Sequence, residues 1–263
     1  MTDFEPRTVW LVGAGPGDPE LLTRKAERLL SGADVVFHDA LVGPGVLALA
    51  RPGARLVPVG KRAGRHSQSQ ARIDRMIVAA ARAGQRVVRL KGGDPAVFAR
   101  TAEELAACRA AGVPVRICPG ITAASSAAAS LGTPLTLRGQ ARALTFVTAH
   151  ACAGDAADVD WQALADPGAT LAIYMGKAMA GRIARRLIAA GLDPATPVAL
   201  VENASLPDER RFDSRLDLLP IAARSVLGEG PAVILVGPAL DYAREPAAAP
   251  DRGSARALTA GAA

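Results

Sequence analysis

Only 3% of the 263 residues are aromatic, too few for the stacking platforms on which single-stranded nucleic acid is usually bound. Cysteine is scarce too: Cys108, Cys118 and Cys152 are odd in number, widely spaced and without a C-x-x-C pair. That pattern argues against a disulfide framework and a structural zinc site, and leaves reduced, packed thiols. His38, His66 and His150 show no metal-ligand spacing, so no metal is expected. No uninterrupted apolar run approaches the ~20 residues that span a bilayer, and the amino end has no basic segment leading into an apolar one. The expectation is a cytoplasmic protein without a membrane partner. With 26 Gly and 19 Pro against 50% hydrophobic residues, fibrous and intrinsically disordered readings also fail.

What is present is positive charge, +6 formally, with a pI near 9.8. Such a balance favours anionic partners without saying which. Given the few aromatics, a small polyanion fits at least as well as RNA.

Short β-branched runs alternate with helical patterns through the amino half: Val9–Val12, Asp34–Phe37, Arg55–Val57, Arg86–Leu90 and Val113–Ile117. This rhythm is what parallel βα units produce. A helix is expected directly after Asp18, which can cap it, with Pro19 at its first position, Leu22, Ala26 and Leu29 along one face and Gly32 at its end. Another follows Ser67 or Ser69, with Ile73, Met76, Ile77 and Ala80 on one face and Gly84 as a left-handed cap. Gly and Pro between 132 and 139 break the pattern. The carboxyl half restarts at Leu144–Thr148 and Thr170–Met175, continues through a helix carrying Met179, Ile183 and Leu187, and adds strands at 197–201, 210–214 and 232–236. The expected fold is α/β in two domains, 1–135 with a mostly parallel sheet and 140–242 with a mixed one. Residues 243–263 are expected to be a disordered tail.

Two glycine-rich loops follow strands. Gly13-Ala-Gly-Pro-Gly-Asp18 is not the dinucleotide fingerprint, whose third glycine falls where Asp18 stands; it is either a tight strand-to-helix turn or a ligand loop. Lys91-Gly-Gly-Asp-Pro95 sits where open α/β sheets place their ligands, with adjacent glycines that expose main-chain donors and acceptors. The run from Gly60 to Gln70 carries Lys61, Arg62 and Arg65. It reads either as a solvated basic loop or as a clamp for carboxylates.

Together and in this order, these motifs resemble the uroporphyrinogen-III C-methyltransferase branch of the tetrapyrrole methylase family. The resemblance runs from about Val9 to Pro238. Further carriers are His38-Asp-Ala-Leu-Val42, Gly60-Lys-Arg62 with Ser67 and Gln70, and Arg89-Leu-Lys-Gly-Gly-Asp-Pro95 with Phe98, Arg100, Glu103 and Glu104. Pro119-Gly-Ile-Thr-Ala123, Pro134-Leu-Thr136 with Arg138, Tyr174-Met-Gly176, Glu202-Asn-Ala204 and the stretch 230–237 complete the set.

The resemblance implies an active site in the cleft between the two domains, which binds S-adenosylmethionine, released as S-adenosylhomocysteine, largely through main-chain groups. The positions implied to line it are Pro16, Gly92, Gly93, Asp94, Val97, Thr122, Ala123, Met175, Ala204 and Ala232. The implied reaction methylates uroporphyrinogen III twice, at C-2 and C-7, giving precorrin-2 for siroheme or cobalamin synthesis. Its eight carboxylates give Lys61, Arg62, Arg65, Arg100 and Arg138 a substrate to bind, beside Met175. The resemblance further implies Asp39 as base, Lys61 as acid and a homodimer. Arg100 is the alternative base, but a guanidinium releases its proton only above pH ~12, so Asp39 is preferred; Glu103, one helical turn away, is placed to orient Arg100. A later corrin precursor as substrate, or a non-catalytic tetrapyrrole- or nucleic-acid-binding role, is the alternative. Leu137 and Thr101-Ala102 depart from the family's usual histidine and glycines.

Overall fold

The computed structural model describes residues 4–60, 69–149 and 159–243. Lys61, Arg62, Arg65, Ser67, Cys152 and the expected tail from residue 244 onward lie outside the described residues.

Five strands form the first sheet: β1 (Val9–Gly13), β2 (Val35–His38), β3 (Arg55–Pro58), β4 (Val87–Lys91) and β5 (Val115–Cys118). They lie in the order β3-β2-β4-β1-β5, every pair parallel. Strands covered on both faces read as continuous apolar runs, and successive side chains point to opposite faces. Accordingly Trp10, Val12, Val36, Val88 and Leu90 pack on one side with α1 (Arg24–Gly32) and with Val46 of α2 (Pro44–Leu47). Val9, Leu11, Val35, Phe37 and Val87 pack on the other with α3 (Gln70–Arg82) and Cys108 of α4 (Thr101–Ala110).

The second sheet contains β6 (Ala143–Thr148), β7 (Ala169–Tyr174), β8 (Pro197–Glu202), β9 (Arg210–Arg215) and β10 (Ala232–Val236). Its order is β6-β7-β10-β8-β9, parallel only between β6 and β7 and hence mixed, as expected. One face packs Leu171, Ile173, Leu200 and Ile234 against α7 (Ala180–Ala189) and α8 (Leu219–Val226), with Trp161 of α6 (Trp161–Leu164) at its margin. The other face receives α5 (Ala123–Leu131), whose Ala124 and Ala127 meet Ala172, Ala199, Val201 and Val233. The chain's first half thus supplies a layer of the second sheet.

The helix expected from Asp18 starts later. Asp18 accepts from the Glu20 N–H at 2.9 Å, and Leu22 N–H closes on the Pro19 carbonyl at 3.1 Å, which makes a single 3-10 turn over Pro19–Leu21. Thr23 then takes an extended conformation and its Oγ1 accepts from Ala26 N–H at 3.1 Å, capping α1. Two cap residues five positions apart compete, and the threonine starts the longer helix.

Asp34 pins the starts of β2 and β4. Its carboxylate accepts from the Arg86 main-chain N–H at 2.8 Å, from Arg86 Nε and Nη2, and from Arg51 Nη2 at 2.5 Å. The Arg86 hydrogen bonds outweigh burial and hold the Asp34 carboxyl below its ordinary value of 3.8. Its stabilisation is therefore complete above that value and is lost as pH falls toward the folded-state pKa. We expect Asp34→Asn to cost about 1 kcal/mol at neutral pH. Urea unfolding should show that cost shrinking toward zero as the pH falls below the ordinary carboxylate range.

Candidate active site

Because the first sheet is parallel, the carboxyl ends of its strands share one edge, and the loops leaving β1, β4 and β5 meet there. Gly13, Gly93 and Gly120 touch through bare backbone. A Cβ on Gly13 would lie 2.7 Å from the Gly93 oxygen, and one on Gly120 would lie 2.3 Å from it. The two glycine-rich loops also bond to each other. Gly93 N–H donates to Gly15 O at 2.7 Å and Gly15 N–H to Gly93 O at 3.2 Å. Both carboxylate oxygens of Asp94 are engaged as well, by Ala96 N–H at 2.6 Å and Gly120 N–H at 2.9 Å. Asp94 thus fixes loop to loop.

The second sheet closes on this edge. Tyr174, at the end of β7, accepts from Ala124 N–H at 3.2 Å and packs its ring 5.3 Å from that of Phe98. Asp18 N–H donates to Ser205 Oγ at 3.0 Å, and Gly17 faces Leu206 so closely that a Cβ would lie 2.6 Å away. These ties bring the loops of Pro16, Gly92–Asp94, Thr122–Ala123, Met175 and Ala204 to one rim, with Ala232 paired in register opposite Glu202. Backbone strain gathers in the same place: of the six non-glycine residues at positive φ among the described residues, Phe98, Arg100, Met175, Asn203 and Ser205 lie on these loops. Such conformations persist where surroundings over-determine them and cluster at functional sites. Met175, at φ 56, keeps 46% of its surface exposed.

Beside the rim is a cavity of about 210 Å³ bounded by Asp39, Gly60, Gln70, Arg89, Phe98 and Arg100, among others. Asp39 follows β2, and its Oδ1 accepts from Arg89 Nη2 at 2.5 Å. Arg89 and Lys91 alternate with Leu90 along β4, so both point toward α3 and α4. Glu104 of α4 takes both cations, Arg89 Nε at 2.8 Å and Lys91 Nζ at 2.6 Å, with Gln70 Nε2 at 3.4 Å. Burial would depress the Arg89 guanidinium, but the Asp39 and Glu104 carboxylates outweigh it and hold it above its ordinary value. Burial and the Arg89 charge pull Lys91 down, against Glu104. Burial, helped by Glu104 and Asp74, pushes the Cys108 thiol up to about 11, which leaves it unreactive.

Arg100, on the cavity wall, caps α4 in a left-handed conformation and donates to Glu103 at 2.6 and 2.8 Å, both side chains exposed. Thr101, one of the departures from the family pattern, donates its hydroxyl to the Pro95 carbonyl and ties the start of α4 to the glycine loop. Arg138 is exposed on the segment joining the sheets and is not part of the cavity wall. The segment carrying Lys61, Arg62 and Arg65 leaves the described chain at Gly60, on that wall. Sequence reasoning gave Arg89, Lys91, Glu104 and Tyr174 no separate roles. The signal was available for two of them, since cations inside a buried apolar strand require carboxylate partners.

An all-parallel sheet and a mixed sheet, tied together at a rim of glycine loops beside a charged cavity lined by residues of the first half, define an α/β enzyme-like scaffold. The chain belongs to the tetrapyrrole (corrin/porphyrin) methylase family, whose model matches residues 8–249. It is 49% identical over 228 residues to the uroporphyrinogen-III C-methyltransferase of Paracoccus denitrificans, covering 86% of this chain and 79% of that one. With the siroheme synthase of Gluconacetobacter diazotrophicus the identity is 46% over 229 residues, covering 87% of this chain and 49% of the relative. The chain therefore spans about half the length of the siroheme synthases it matches. Among solved structures, uroporphyrin-III C-methyl transferase from Thermus thermophilus, complexed with S-adenyl homocysteine, superposes with TM-score 0.75 at 44% identity. That match covers 89% of this chain and 99% of the other. A cobalt precorrin-4 methyltransferase gives TM-score 0.78 at 29% identity, covering 91% and 97%.

Proposed function

We propose that this chain transfers methyl groups from S-adenosylmethionine to ring carbons of uroporphyrinogen III, twice, at C-2 and C-7, giving precorrin-2. The observation that carries the reading is one loop. Residues 92–100 begin at the small, backbone-rich rim and end in the cavity wall at Phe98 and Arg100, so a donor held at one end adjoins a macrocycle held at the other.

The rim fits the donor. Its positions Pro16, Gly92, Gly93, Thr122, Ala123, Ala204 and Ala232 are small, Asp94 is already engaged, and Met175 offers an exposed apolar side chain. Main-chain groups there can meet a nucleoside and an amino-acid end, and Val97 lies on the same loop. When bound, S-adenosylmethionine supplies an electrophilic methyl group and leaves as S-adenosylhomocysteine. Asp39 removes the ring proton that must depart after carbon is methylated. The hydrogen bonds from Arg100 to Glu103 hold the guanidinium above its ordinary value, so Arg100 stays charged and binds a substrate carboxylate instead of acting as base. Lys61, Arg62, Arg65 and Arg138 belong to the same proposal as further cations for the polyanion, Lys61 also as acid. The proposal extends to two lobes, 1–135 and 140–242, and a cytoplasmic homodimer.

The test is anaerobic incubation of the purified protein with S-adenosylmethionine and uroporphyrinogen III. Mass spectrometry should find two added methyl groups; unchanged substrate beside an active control enzyme overturns the reading.

A further inference from the structure

Glu104 does not border the cavity, yet its buried carboxylate governs a residue that does. We infer that Glu104 is a positioning residue for methyl transfer, acting through Arg89 on Asp39; the inference rests on Asp39 being the group that removes the ring proton.

The guanidinium is a rigid planar fork, and each of its nitrogens has an acceptor: Nε on Glu104 at 2.8 Å, Nη1 on the Leu90 carbonyl at 3.1 Å and Nη2 on Asp39 at 2.5 Å. Fixing the first two aims the third. Glu104 in turn cannot turn away, because Lys91 holds its other oxygen at 2.6 Å. The Asp39 side chain, 28% exposed at the cavity, is thereby tied at one oxygen from behind, by groups that are themselves almost fully buried. Two cations and two carboxylates sum to zero, so the cluster survives in the interior. Stability alone is a weak reason for such a cluster, since apolar residues of similar volume often serve as well or better.

Two neutral double variants separate positioning from burial. In Lys91→Met/Glu104→Gln the amide oxygen still accepts from Arg89 Nε; in Lys91→Met/Glu104→Ala nothing does. We expect kcat for methyl transfer to fall about 100-fold in the alanine form, the cost of misplacing a reacting group by about 1 Å. KM for the tetrapyrrole and affinity for S-adenosylhomocysteine should stay as in the parent, and the glutamine form should recover most of kcat. Equal kcat in the two forms, or loss of S-adenosylhomocysteine affinity together with kcat, overturns the inference. Should either double variant fail to fold, Glu104→Asp keeps every charge but retracts the carboxylate by one methylene. A drop in kcat alone supports positioning, and an unchanged kcat overturns it. A parent enzyme without methyl transfer sinks the functional reading and this inference with it, an outcome distinct from the others.

Discussion

The Asp39→Asn variant is expected to lose methyl transfer by about 10²–10⁴-fold, the usual contribution of a positioned general base, while S-adenosylhomocysteine binds as in the parent. Asparagine is the informative replacement because its amide oxygen still accepts from Arg89 Nη2, where Asp39 Oδ1 now stands at 2.5 Å. What disappears is the capacity to take a proton. The change also leaves Arg89 and Lys91 with Glu104 as the remaining carboxylate of the cluster, so some stability goes with it, about 1–3 kcal/mol. Activity should therefore be compared at a temperature where both proteins are folded by circular dichroism. Calorimetry of S-adenosylhomocysteine binding supplies the control, since the Asp39 carboxylate is bonded to Arg89 and, among the described residues, makes no hydrogen bond to Gly92, Met175 or Ala204. Equal losses of binding and turnover would make Asp39 structural. Full turnover would move proton removal to another group.

The reach of the sequence varied with the range of the interaction. Local patterns were readable: apolar runs such as Val9–Gly13 and Ala232–Val236 are strands in place, and the face of Ile73, Ile77 and Ala80 is the buried face of α3. Strand ends moved by a residue or two, and α1 began at Arg24 because Thr23 competes with Asp18 as a cap. Long-range partners were not readable. Ala123–Leu131 is too uniformly small to show an apolar stripe, so nothing local announced that it covers the second sheet. Likewise nothing local shows that the two glycine loops bind each other, Gly15 with Gly93, or that Asp94 binds Gly120. Glu104 stood beside Glu103 in the motif. Only the fold separates them, one paired in the interior and the other exposed with Arg100.

Gly120→Ala is expected to destabilise the chain by about 3 kcal/mol, the upper range for forcing extra atoms into a packed interior, and to abolish S-adenosylhomocysteine binding. The added Cβ would lie 2.3 Å from the Gly93 oxygen and 2.9 Å from the Gly13 Cα. Both are backbone atoms, which cannot swing aside as a side-chain tip can. Relief requires the end of β5 to withdraw from the ends of β1 and β4. That withdrawal breaks the 2.9 Å bond from Gly120 N–H to Asp94 and carries Thr122 and Ala123 away from Gly92 and Gly93. Gly112→Ala supplies the contrast. Its φ of 66 is left-handed, but a Cβ there meets nothing within 4 Å, so the cost is backbone strain of about 1–2 kcal/mol far from the rim. Urea unfolding should find both variants less stable than the parent, and calorimetry should find binding lost in the first alone. Parental affinity in Gly120→Ala would show that contact among the three glycines is not what shapes the donor site.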